Sequence, residues 1–161
     1  MLKNYLENVQ LDDLSNREGH AAKVYFNQLF GKDFTRSSPI FINTILNYGY
    51  TILLSHFNRL ILASGYLTQI GIHHKSEYNP YNFACDLMEP FRPIIDRYAI
   101  TGKLNEENYK KCLSNFDSVK VRIKQQNTNL ENAIKIYCLS VFRALNENNP
   151  NLIVVYEDYE F

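Results

Sequence analysis

The chain has no tryptophan, no net charge and no CxxC pair. Its three cysteines, Cys85, Cys112 and Cys138, are odd in number and far apart, which argues against a zinc site or a disulfide framework. A reducing, cytoplasmic setting is the default. Charge balance removes any global electrostatic case for a nucleic-acid partner. The start, MLKNYLENVQLDD, lacks the basic-then-apolar layout of a signal peptide. One apolar run, Pro39 to Ser64, has the length of a bilayer span, about 20 residues. It carries Asn43, Asn47, His56, Asn58 and Arg59, too many polar groups for a lone span, so it is read as a buried helix and not as a membrane anchor. The 161 residues are the size of one domain, and 12 Tyr and 10 Phe supply a core.

Helix signals dominate. Leu2, Leu6 and Val9 hint at a short opening helix. Ser15 or Asn16 can cap a second, with Ala22, Tyr25, Phe26, Leu29 and Phe30 at helical spacing and Gly31 as its stop. Ser38-Pro39 opens a third, closed by Gly65, apolar nearly all round. Gly49 in its middle costs about 1 kcal/mol relative to Ala, so it implies a close approach by a neighbour. Asn79-Pro80 starts the next helix, which Pro90 must kink or restart. Asn105 can cap a short helix through Leu113, and Thr128-x-x-Glu131 reads as a capping box before a last long helix ending near Asn149-Pro150. Between them Lys120 to Lys124 alternates with period two, Val119, Val121 and Ile123 inward and the cations outward. The tail NLIVVYEDYEF is partly β-prone. The expected fold is all-α, a single helical bundle with one or two short extended segments.

Two stretches carry chemistry. NREGHAAKVYF places Glu18 in the first turn of a helix. GIHHKSEYNPYNFACDLMEPFRP places His74 in a turn, then Asp86 and Glu89 three residues apart, on one helix face. Such a mixed nitrogen and oxygen donor set suits Mn²⁺ or Mg²⁺ and metal-assisted chemistry on a phosphodiester. Plainer readings stand beside it. Glu18 has a favourable contact with the helix dipole. Tandem histidines on a loop are commonly solvated, and Asp86 and Glu89 can pair with Arg92 and Lys75. A histidine ligand needs an acceptor on its other ring nitrogen, which the two acids can supply. His20 and His56 read as structural, and Asn43 and Asn47 as buried hydrogen-bonding groups. Lys110, Lys111, Lys120, Arg122 and Lys124 form the local basic cluster, either a solubilising surface or a set of phosphate contacts.

The strings NREGHAAKVYF, LNYGYTILLS, GYLTQIGIHH and DLMEPFRPIIDR, in this order, resemble the C-terminal catalytic domain of the universal CRISPR adaptation integrase, the endonuclease that inserts new spacers, and most closely its type II branch. The resemblance implies that Glu18, His74 and Glu89 are catalytic and converge on one Mn²⁺ or Mg²⁺ ion; Asp86, from the reading of the residues themselves, is a candidate to support a ligand or to act through a water. The family's GxxH frame selects His74 over His73. The implied reaction is transesterification of a phosphodiester by a DNA 3′-hydroxyl. The implied partners are double-stranded DNA, held in part by Lys120, Arg122 and Lys124, a second copy of the chain, and the second CRISPR adaptation protein. It also implies that residues 1–161 are the helical catalytic domain and that the family's N-terminal β-rich domain is absent. The alternative is a truncated, non-catalytic helical module that binds DNA or a partner.

Overall fold

The computed structural model describes residues 7, 10, 13, 15–115 and 118–160. The opening helix expected from Leu2, Leu6 and Val9 falls outside them. The chain divides into two compact units, Met1–Thr44 and Ile45–Phe161.

In the first unit, α1 spans Arg17–Phe30. Its free N–H groups are capped by neither Ser15 nor Asn16. The Asp13 carboxylate accepts from the amides of Arg17 and Glu18 at 2.7 and 2.8 Å, and Asn16 sits in a left-handed conformation without a side-chain cap bond. Gly31, at φ 100°, ends the helix as expected. Phe26, Phe30 and Phe34 pack together, Phe30 and Phe34 with ring centroids 4.7 Å apart. Asn43 is buried, and its amide donates to the carbonyls of Thr35 and Ser38 at 2.8 and 2.7 Å while its oxygen accepts from Arg36. Those bonds keep Thr35–Ser38 as a turn, so α2 begins at Phe41 and Pro39 lies in its lead-in.

Helix α2, Phe41–Ala63, continues into the second unit. There Ile45, Leu46, Leu53, Phe57 and Ile61 are buried and Asn47 is exposed, so the helix buries one face and its apolar sequence overstates its burial. Gly49 is explained by space. A Cβ there would stand 2.5 Å from Cγ2 of Ile95. Helix α3 is Asn82–Met88, a 3₁₀ turn follows at Glu89–Phe91, and α4 is Arg92–Ala99. Pro90 thus splits the pattern into two helices through a tighter turn. Helix α5 is Tyr109–Ser114, preceded by a turn in which Asn105 Oδ1 accepts from the amides of Glu107 and Asn108.

The all-α expectation is corrected by a three-stranded antiparallel sheet, which makes the fold mixed α/β with helix predominant. Strand β1 is Lys120–Ile123, β2 is Gln126–Asn129 and β3 is Asp158–Glu160, in the order β2-β1-β3. The β1–β2 hairpin turns on Lys124 and Gln125, both at positive φ (51° and 61°), the geometry of a two-residue primed turn. No Asn-Gly or Asp-Gly marks it, which is why the sequence reads only as an extended piece. Helix α6, Leu130–Glu147, is capped by Asn129, whose side chain accepts from the Asn132 amide at 2.9 Å, in place of the expected Thr128 box. Thr128 instead accepts from the Asn132 side chain. The core joins Phe57, Phe91 and Tyr137 at centroid distances of 5.3 to 6.2 Å, with Tyr156 against Phe91.

Cysteine exposure gives a direct check. All three thiols are free; Cys138 is buried, and burial pushes its thiol up to about 12. Mass spectrometry after brief alkylation near neutral pH should find Cys138 unlabelled in the native chain and labelled in denaturant, because only thiolate reacts. Native labelling of Cys138 would contradict this packing.

Candidate metal centre

The site is built around a loop, residues 64–81, between α2 and α3. Its start is tied to α6, where the Tyr66 ring stacks on Phe142 at 4.5 Å and its hydroxyl donates to Asn146 Oδ1 at 3.0 Å. Its end is tied to itself. Thr68, buried, donates to the Pro80 carbonyl at 2.8 Å, and Asn82 donates from its side chain to the carbonyls of Gln69 and Ser76.

Asp86 completes the closure. Its carboxylate accepts from the amides of Ile72, His73 and His74 at 2.5, 3.0 and 3.1 Å, and lies 2.5 Å from Nδ1 of His74. Its side chain is only 8% exposed. Burial alone would push its pKa up; the His74 imidazole and the three amides outweigh that and hold the carboxyl below its ordinary value. An ionised carboxylate only accepts, so Nδ1 of His74 must carry the proton. In the neutral ring Nε2 is then a bare lone pair. Gly71 is required by this geometry. A Cβ there would overlap the His74 carbonyl and stand 2.8 Å from Asp86 Oδ2.

Glu89 and Asp86 do different things despite their helical spacing. Glu89, in the 3₁₀ turn, pairs with Arg92 at 3.0 Å and is 40% exposed. Arg92 also lies over the Tyr50 ring, 5.0 Å from its centroid, and the Tyr50 hydroxyl donates to buried Asp96. The sequence reading anticipated the Arg92 pair but missed Gly71, Asn82, Tyr50 and Asp96 as supports. Only Gly71 carried a signal, through its spacing from His74. Glu18 belongs to the first unit, exposed in the first turn of α1. Among the described residues, no group of three or more His, Cys, Asp or Glu side chains is gathered closely enough to hold a metal. Within the second unit the donor chemistry fits a hard divalent cation, since His74 has its second nitrogen held by a carboxylate and Glu89 supplies oxygen.

The basic strand is partly neutralised. Lys120, Arg122 and Lys124 are exposed, as expected. Arg122 pairs with Glu157 at 3.2 Å, and the β1–β3 register sets Lys120 opposite Glu160 and Arg122 opposite Asp158. Among the described residues, no helix is long and apolar enough to cross a membrane.

Comparison with known proteins places this architecture. The family model described as CRISPR associated protein Cas1 matches residues 1–127. The CRISPR-associated endonuclease Cas1 of Neisseria meningitidis serogroup C (strain 8013) is 41% identical over 110 residues, covering 66% of this chain and 36% of that one. A solved Cas6-RT-Cas1–Cas2 complex contains a chain that superposes with a TM-score of 0.77 at 21% identity, over 99% of this chain and 21% of the other. A casposase bound to integration product superposes with a TM-score of 0.75 at 22% identity, over 91% and 51%. The chain belongs to the Cas1 family. It spans about a third of the length of the curated relatives it matches.

Two predictions follow from the geometry. Asp86→Asn should lower stability by about 1–3 kcal/mol, because three backbone amides and the His74 imidazole lose a charged acceptor. Because the folded-state pKa of Asp86 is lowered, its contribution is present above the ordinary value of 3.8 and lost as pH falls below it. Acid unfolding curves should therefore converge for the two proteins at low pH; a constant gap at every pH would contradict the clasp. Separately, if the exposed β1 cations meet DNA phosphate, replacing Glu157, Asp158 and Glu160 by their amides should strengthen that binding at low salt on the order of tenfold and steepen its salt dependence. Unchanged anisotropy titrations would show that the β1 cations do not meet phosphate.

Proposed function

We propose that this chain carries the catalytic centre of a CRISPR adaptation nuclease and integrase, with Glu18, His74 and Glu89 holding Mn²⁺ or Mg²⁺. Family membership supports the class of activity, and the relatives named as endonucleases and the casposase–product complex support phosphodiester chemistry. The observation that carries the site assignment is the Asp86 clasp, which fixes the His74 tautomer and leaves Nε2 for a ligand.

When bound, the ion supplies Lewis-acid stabilisation of charge developing on the scissile phosphate. The chain's own residues do the positioning. Asp86 holds the imidazole in one orientation and keeps its proton on Nδ1. Arg92 neutralises Glu89 and is itself held against Tyr50. The nucleophile is a DNA 3′-hydroxyl, or water when the outcome is cleavage. The protein provides no covalent nucleophile in this scheme; Cys85 is half-buried, with the Asn79 amide 3.5 Å from its sulfur. Double-stranded DNA is the substrate, Lys120, Arg122 and Lys124 touch its phosphates, and residues 1–161 act as the catalytic domain of a longer assembly. A second copy and the second adaptation protein are its partners; a Cas1–Cas2 complex among the structural neighbours supports the latter.

Mn²⁺ at about a hundred times its Kd should stabilise the fold by about 2.7 kcal/mol. His74→Ala should remove most of that shift, and His56→Ala should not. In parallel, the chain should nick or join DNA in a metal-dependent way that His74→Ala abolishes. Metal-independent stability with no DNA chemistry would leave the non-catalytic binding module as the correct reading.

A further inference from the structure

Helix α2 and the start of α6 enclose a polar cavity of about 280 Å³ that shares no residue with the metal centre. His56, Arg59 and Leu60 line it from α2, and Glu131, Asn132 and Lys135 from α6. Pockets for drug-sized ligands hold about 300–1,000 Å³, so this one suits a single small charged group. Arg59 is held from two sides, its guanidinium 3.0 Å from Nδ1 of His56 and 3.5 Å from Oε1 of Glu131. A guanidinium only donates, so Nδ1 of His56 accepts and the proton of the neutral ring is on Nε2. The contact with Glu131 is long, and both side chains are more than half exposed, which makes it a weak pair. Lys135 follows Glu131 by one turn and is in no ion pair among the described residues. The cavity wall therefore carries two permanent cations against one carboxylate. The helix end is not the source of donors here, because the Asn132 amide is already taken by Asn129.

We propose that this cavity binds a phosphate, free or as a terminal monoester, with Arg59 as its planar fork and Lys135 as its second charge. The charge count selects the ligand. A carboxylate would only replace Glu131 like for like. A phosphate monoester brings a charge of about −1.5 to −2 at neutral pH and three acceptor oxygens, enough to meet both cations. The parallel N–H groups of Arg59 match two of those oxygens, and Lys135 adds a point charge. The His56 contact holds the guanidinium in place beforehand, so less freedom is lost on binding. Glu131 is then a competitor that the incoming oxygens displace from Arg59. A phosphodiester within a duplex is a single anion flanked by two sugars, and it does not enter so small a concavity. Two sources share the required chemistry, the end of a nucleic-acid strand and a small soluble phosphate.

The full chain is titrated with sodium phosphate and, at the same pH and ionic strength, with sodium chloride and sodium acetate. The readout is the NMR signals of the His56 imidazole and of the Asn132 and Lys135 amides. Saturable shifts are expected with phosphate alone. Arg59→Ala should weaken binding about tenfold or more, the loss of a charge-assisted contact. Arg59→Lys should recover only part of it, because the fork is gone. Glu131→Gln should tighten binding, a change of sign that general loss of structure would not produce. Arg59 and Glu131 are exposed, so these replacements leave the core intact. Displacement of phosphate by an oligonucleotide bearing a 5′-phosphate, and not by its 5′-hydroxyl twin, assigns the site to a strand end; equal behaviour of the twins assigns it to a small soluble phosphate. Shifts that chloride reproduces, acetate binding as tightly as phosphate, or an affinity unmoved by both Arg59→Ala and Glu131→Gln would overturn the site.

Discussion

One carboxylate organises the centre. Asp86 is nearly removed from water, which is costly for an anion, and it remains charged because four N–H donors from three consecutive residues meet it. The loop shape follows. Ile72, His73 and His74 must point their amides at one spot, Gly71 must lack a Cβ, and the His74 ring must turn Nδ1 inward. Removing the charge frees all of these together. The remaining supports, Thr68 within the loop, Asn82 at the start of α3 and Tyr66 against α6, fix where the clasp stands in the second unit.

The zero net charge hides a local arrangement. Alternation along β1 puts its cations outward, and the tail returns to lay Asp158 and Glu160 opposite them. Pairs of this kind are exposed and individually weak, so their effect is on the field that a polyanion meets more than on stability. A basic strand in sequence is therefore a muted one in the fold. Any anion approaching Lys120 or Arg122 has to compete with carboxylates already in place.

Much of this was legible in the residues. Gly49 announced a close neighbour, Gly31 ended α1, and Pro90 divided α3 from α4, because each acts through local sterics. Period-two alternation placed Val121 and Ile123 inside. The sheet was not legible, since β3 pairs with β1 across more than thirty residues and the hairpin turn uses Lys124 and Gln125 without a Gly or Asn. The caps also misled. Asp13 and Asn129 make the capping bonds assigned to Ser15 or Asn16 and to Thr128, and a short polar side chain one or three residues away reads equally well in sequence. Asp86 was one of two acids that could supply the acceptor a histidine ligand needs, but its three backbone bonds depend on a loop path that only the fold defines.

The central claim is that Asp86 fixes His74 with Nδ1 protonated and Nε2 bare for a divalent ion. Nitrogen-15 NMR of the imidazole side chains tests it. The expected spectrum shows His74 protonated at Nδ1 and unprotonated at Nε2, with substoichiometric Mn²⁺ broadening the Nε2 signal of His74 before those of His20, His56 and His73. A proton found on Nε2 of the neutral ring, or Mn²⁺ broadening centred on another histidine, would contradict it.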